Sequence, residues 1–162
     1  GKVCERLDKS IRLELCALAE RLSEDFLHMT TAHFALLEGA EDLIRYLAAK
    51  YPLTVVTNGF VEVQYEKFEK SGLKDCFAHI VLSEEVGCQK PNPRIFKEAL
   101  RMNGLDASEV VMIGDSFSSD IAGANAVGID TIWLAQPDKI TDEQSKVATY
   151  IVTSLQEIKQ LL

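Results

Sequence analysis

From Pro52 onward the chain alternates short, unbroken apolar runs with amphipathic helical stretches, and no other feature limits its fold so tightly. The runs are residues 53–56, 80–82, 110–113, 131–134 and 150–152. Continuous rather than alternating apolar runs are the pattern of strands buried on both faces of a parallel sheet. Helical patterns over 61–71, 93–102 and 118–127 separate them. The ends of these stretches carry physical signals. Asn92 suits an N-cap, and Pro93 suits the first helical position. Gly72, Gly104 and Gly128 fall where helix stops belong. Ser154 and Glu157 have capping-box spacing and open a last helix carrying Leu155, Ile158, Leu161 and Leu162. Strand–helix repetition with short connections predicts an α/β fold built on a doubly wound, mostly parallel sheet.

The first third of the chain reads differently. Ile11, Leu15, Leu18, Leu22 and Phe26 lie along one helical stripe, and a second helix is expected over 41–50 with Leu43, Ile44 and Leu47 inward. Residues 28–39 form the natural boundary between the two regions. A chain of 162 residues, 47% hydrophobic and 26% charged, suits one compact domain, or one with a small appendage. Its formal charge of −8 argues against nucleic-acid polymers or anionic membranes as general partners, while leaving room for a local pocket that takes a small phosphate. No apolar run approaches the roughly 20 residues that span a bilayer. Residues 1–10 are charged and lack a signal-peptide core. Cys4, Cys16, Cys76 and Cys88 show neither CxxC nor metal-ligand spacing, which reads as reduced thiols in a cytoplasmic protein. His28, His33 and His79 also lack metal spacing. Trp133, Tyr65 and Phe68 read as packing residues.

In such a sheet the working groups gather beyond the carboxyl ends of the strands. The first run ends in Thr57-Asn58-Gly59, a hydroxyl, an amide and a glycine whose N–H can approach a phosphate oxygen. Taken alone, the same three residues make an ordinary polar turn. The second run leads through Ser83-Glu84-Glu85-Val86-Gly87 to Lys90-Pro91-Asn92-Pro93-Arg94-Ile95-Phe96. The prolines stiffen the loop, so the Lys90 ammonium is either presented to an anion or simply solvated. The third run ends in Gly114-Asp115-Ser116-Phe117-Ser118-Ser119-Asp120. Asp115 and Asp120 could share a hard cation such as Mg²⁺, or could serve as helix-start residues.

Hydroxyl, lysine and acidic pair, in that order and each after a predicted strand, resemble the second, third and fourth motifs of the haloacid dehalogenase-like (HAD) hydrolase superfamily. The longer strings around Thr57–Phe60, Ser83–Gly87 and Lys90–Phe96 resemble its capped bacterial pyrimidine 5′-nucleotidases. The resemblance spans about residue 37 to Leu162. It implies a partial helical cap over 1–37 and a Rossmann-like HAD core over 38–162. It further implies an Mg²⁺-dependent phosphomonoester hydrolase working through an aspartyl-phosphate on a small phosphorylated metabolite, with nucleoside 5′-monophosphates among the candidates. Thr57, Asn58, Gly59 and Lys90 would then hold the phosphoryl group, with Thr57 and Lys90 acting in catalysis. Asp115 and Asp120 would hold the metal, and Phe60 would contact substrate. A metal-free dehalogenase is the rival within the superfamily, and Asp115 argues against it. A non-catalytic phosphate- or partner-binding relative is the rival outside it.

The family's first motif, an apolar strand ending in Asp-x-Asp, carries the nucleophile, and no Asp-x-Asp occurs among the 162 residues. By the resemblance that strand lies at the centre of the sheet, between the strands ending at Thr57 and near Asp115. Two expectations follow: those strands do not pair with each other, and an N-terminal segment or second chain is needed to complete the sheet. These residues alone are then expected to be inactive.

Overall fold

The computed structural model describes residues 35–162, of which 36–162 form one compact unit. The expected helix over 11–26, the expected cap over 1–37 up to residue 34, and Cys4, Cys16, His28 and His33 lie outside the described residues.

The described chain runs α1 (Ala40–Ala48), β1 (Thr54–Thr57), α2 (Val61–Ser71), β2 (His79–Leu82), α3 (Ser83–Val86), α4 (Pro93–Asn103) and β3 (Val111–Gly114). A π-helical turn (Phe117–Ile121) then feeds α5 (Ala122–Asn125), followed by β4 (Asp130–Leu134), α6 (Asp142–Ser145), β5 (Tyr150–Val152) and α7 (Leu155–Leu161). Every strand pairing is parallel. The strands form two sheets, β1–β2 and β3–β4–β5. β1 and β3 are not paired with each other, so each keeps one edge without a strand partner among the described residues. This is the α/β, mostly parallel architecture expected, divided where the central strand was expected to be wanting.

Apolar side chains from both sheets meet in shared cores. On one face α1 (Leu43, Leu47) and α7 (Ile158) pack on Ile132 of β4 and Val152 of β5, with Leu53 beside β1 and Ile113 of β3 joining them. On the other, Ile95 and Phe96 of α4 and Ala124 of α5 pack on Val81 of β2 and Ile129, with Val56 of β1 and Met112 of β3 against the cluster. Neighbours Met112 and Ile113 thus enter opposite cores, as strand alternation requires. Helices cover both faces and hold the two sheets in one unit.

The strands lie within a residue of the apolar runs, and α2 spans the residues expected. Asn92 caps α4 through an Arg94 N–H bond of 3.0 Å, and Gly72 and Gly104 close α2 and α4 in the left-handed region at φ 65° and 64°. Among the helices expected, the clear departure is the one over 118–127, which opens with a π-helical turn before α5. No helix of the described residues is long and apolar enough to cross a membrane.

Candidate active site

The residues after β1, β2 and β3 converge. Lys90, in the loop between α3 and α4, reaches Val56 O of β1 at 2.7 Å and Asp120 Oδ1 of the π-helical turn at 2.8 Å. Both side chains of this ion pair are buried, at 11% and 7% exposure, so the ammonium is held rather than solvated. Leu53 O accepts from Ala78 N–H on the β2 side, so alternation along the strand turns Val56 O toward the opposite, unpaired edge of β1. Lys90 therefore sits at the seam between the two sheets.

The main chain of that lysine is held as well. The Asn58 side chain clamps its main chain: Asn58 Oδ1 accepts from Lys90 N at 2.7 Å, and Asn58 Nδ2 donates to Lys90 O at 3.1 Å. The Lys90–Pro91 peptide is cis. Behind Pro91, Gly123 of α5 lets the helix approach, since a Cβ there would meet the Phe96 ring at 2.7 Å and Pro91 Cβ at 2.9 Å. The loop of Thr57–Gly59 is thus tied to the lysine loop through Asn58, while the Thr57 hydroxyl accepts from Gly59 N–H at 3.2 Å.

Asp120 is held from several sides. Oδ1 also accepts from Ser119 Oγ at 3.0 Å, and Oδ2 accepts from Ser116 N–H at 3.2 Å. Its carboxylate lies directly over Gly114, where a Cβ would come within 2.5 Å of Asp120 Cβ and 2.6 Å of Oδ2. Glycine at the end of β3 is what admits this carboxylate to the strand end. Asp115 is different: it is exposed, its main-chain carbonyl accepts from Trp133 Nε1 at 3.1 Å, and its carboxylate makes no hydrogen bond with a described residue. Phe60, 58% exposed, stands at the mouth of the Thr57 loop.

The structure therefore brings Asn58, Lys90 and Asp120 into one bonded network and sets Thr57 and Gly59 beside it. Asp115 joins only through the chain, one residue before Ser116. Sequence reasoning did not single out Ser116 and Ser119 as supports of Asp120, Gly114 and Gly123 as close-approach positions, or Glu84, whose Oε2 accepts from Val61 N–H at 3.1 Å and so ties α3 to the start of α2. The glycines had no positive-φ turn signature to betray them, and the Asn58–Lys90 and Glu84–Val61 pairs are separated by 32 and 23 residues.

A parallel α/β sheet with a fixed ammonium, a hydroxyl and an exposed carboxylate beyond its strand ends has the groups with which a crevice can hold a small anion. Comparison with known proteins narrows the class. The model of the haloacid dehalogenase-like hydrolase family matches residues 3–134, and the chain belongs to that family. It is 38% identical over 148 residues to the pyrimidine 5′-nucleotidase YjjG of Escherichia coli, covering 88% of this chain and 63% of that protein. A magnesium-bound crystal structure of the HAD-hydrolase YfnB from Bacillus subtilis superposes with a TM-score of 0.69 at 34% identity, over 78% of this chain and 55% of that one. A 2-haloacid dehalogenase from Pseudomonas syringae superposes with a TM-score of 0.79 at 29% identity, over 96% and 64%. The chain thus spans less than two thirds of the length of these relatives.

Proposed function

We propose that this chain supplies the phosphoryl- and metal-holding part of a phosphomonoester hydrolase whose substrate is a small phosphorylated metabolite, a pyrimidine nucleoside 5′-monophosphate being the first to test. The observation that carries this reading is the buried Lys90 ammonium, drawn from one strand end and clamped against a carbonyl and a carboxylate from two others. A positive charge fixed in a partly dry crevice is far more effective against developing negative charge than the same charge in water.

Thr57 Oγ and the Gly59 N–H, now bonded to each other, offer their hydrogen-bonding capacity to phosphoryl oxygens. Lys90 offsets charge on those oxygens and on the attacking carboxylate. The donor set fits Mg²⁺, which takes one or two carboxylates and completes its shell with water and phosphate. Asp115 has the open carboxylate, and Asp120, already engaged on both oxygens, is suited to orient a water of that shell as well as to hold Lys90. When bound, Mg²⁺ would neutralise phosphoryl charge. The attacking carboxylate must come from outside these 162 residues, on a strand that pairs with β1 and β3, because the sequence contains no Asp-x-Asp. It would attack phosphorus in line as the P–O bond to the departing alcohol breaks, and water would then hydrolyse the acyl phosphate, releasing inorganic phosphate and restoring the carboxylate.

The absence of that motif also favours a second reading for the residues as given: a non-catalytic relative that binds phosphate or a partner chain. Likeness to the Pseudomonas dehalogenase concerns the fold, and the exposed Asp115 carboxylate supports the metal-dependent reading over dehalogenation. The assay is p-nitrophenyl phosphate and nucleoside 5′-monophosphate hydrolysis with and without Mg²⁺. No turnover is expected from the 162 residues alone, and Mg²⁺-dependent turnover is expected once a segment carrying an Asp-x-Asp strand is placed ahead of them. In that longer protein Asp115→Asn should remove the Mg²⁺-dependent rate while leaving the circular dichroism spectrum intact. Unchanged turnover would refute the role of Asp115, and turnover by the short chain would refute the external nucleophile.

A further inference from the structure

Beside the Thr57 loop lies a polar side chain that none of these roles uses. Gln64, in the first turn of α2, is half-buried, and its backbone N–H donates to Phe60 O at 3.0 Å. Its side chain folds back across Gly59. A Cβ built on Gly59 would stand 2.1 Å from Gln64 Nε2, 2.6 Å from Cδ and 2.7 Å from Cγ. The glutamine thus occupies the space a side chain at 59 would take.

The amide makes no hydrogen bond with a described residue, and no buried side-chain polar atom of the described residues lacks a partner, so this amide is open to solvent and to a ligand. The atom nearest the loop is the donor nitrogen, in contact with the residue whose own N–H turns toward the Thr57 hydroxyl. We infer that Gln64 is a phosphate-contacting residue of this site: Nε2–H donates to an oxygen of a phosphoryl group seated at Thr57 and Gly59. This rests on the reading of Thr57, Gly59 and Lys90 as the anion-holding groups. An uncharged amide adds a directed contact without a full charge, so its share of affinity is smaller than that of Lys90.

The test is inorganic phosphate binding to the 162-residue chain in the presence of Mg²⁺, by calorimetric titration. Gln64→Met, which keeps the length and removes the amide, should weaken binding by about 3–10-fold. Gln64→Glu should weaken it further through like-charge repulsion, and Lys90→Met should weaken it most. In the unsubstituted chain the Gln64 side-chain NH₂ resonances should shift during the titration, a readout that no folding defect of a variant can affect. Unshifted resonances, or Gln64→Met binding as tightly as the parent while Lys90→Met loses affinity, would overturn the Gln64 assignment and leave the site standing. Absence of phosphate binding by the parent chain, or a Lys90→Met variant that binds as well, would overturn the site reading and this inference together.

Discussion

β1 and β4 look alike as sequences, Thr-Val-Val-Thr against Asp-Thr-Ile-Trp-Leu, but their surroundings differ. β4 has a strand on each side, and Thr131, Ile132 and Trp133 are all at most 4% exposed. Among the described residues β1 has a strand on one side only, and all four of its residues stay half-buried. The contrast extends to the sheets. Three strands with covered faces make a self-sufficient unit, whereas a two-stranded sheet is marginal by itself. The pair β1–β2 persists through what bridges it to the larger sheet: the two shared cores and the Lys90 ion pair. An apolar run thus announces a strand, while the number of its neighbours decides how dry it becomes.

If the bridges make the two sheets one unit, breaking them should unfold both together. The largest effect is expected from Phe96→Ala, which empties a side chain 1% exposed in the core shared by β1, β2 and β3. A loss of about 4 kcal/mol is expected, read as the denaturant midpoint with tryptophan fluorescence from β4 and amide exchange in β1 changing in concert. Separate transitions would show that the sheets are independent. Next is Lys90→Ala, which leaves Asp120 buried without its counter-charge. Its cost should be about 3 kcal/mol, at the lower edge for such pairs because Ser116 and Ser119 still donate to the carboxylate. Gly123→Ala should cost about 2 kcal/mol by forcing Phe96 and Pro91 off α5. An unchanged midpoint there would show that the lysine loop can retreat freely.

The smallest effect sharpens the comparison from the far side of the larger sheet. At the start of α7 the Ser154 and Thr153 hydroxyls donate to Glu157 and hold its carboxyl below the ordinary 4.5. A carboxyl depressed in the folded state contributes stability above its unfolded value and loses it as pH falls through the folded one. Acidification below that value should therefore fray α7, and Glu157→Gln should flatten the trend, as seen by amide exchange at α7.

The legible part of this molecule is the local part. The apolar runs located the five strands of the described residues because each is short and bounded by turn residues, and Asn92 and Ser154 marked helix starts by chemistry that acts over three residues. The four-residue helices α3 and α6 went unread because a single turn shows no periodicity. The π-helical turn went unread because apolar spacing over five residues cannot separate a wide turn from an ordinary one. At the site, Thr57, Lys90 and Asp120 were named from their place after strands, but the sequence offers no means of seeing that Asp120 spends its carboxylate on Lys90 while Asp115 keeps its own open. That distinction comes from Gly114, which lets Asp120 fold over the strand end.

Lys90 is ordinarily the least directional of cations, a rotating ammonium with three equivalent protons. Here one proton faces Val56 O and another faces Asp120 Oδ1, which leaves a single N–H vector uncommitted among the described residues. The seam between the sheets has thereby turned a swivelling charge into a pointer, and any anion that pairs with it must arrive along that one remaining line.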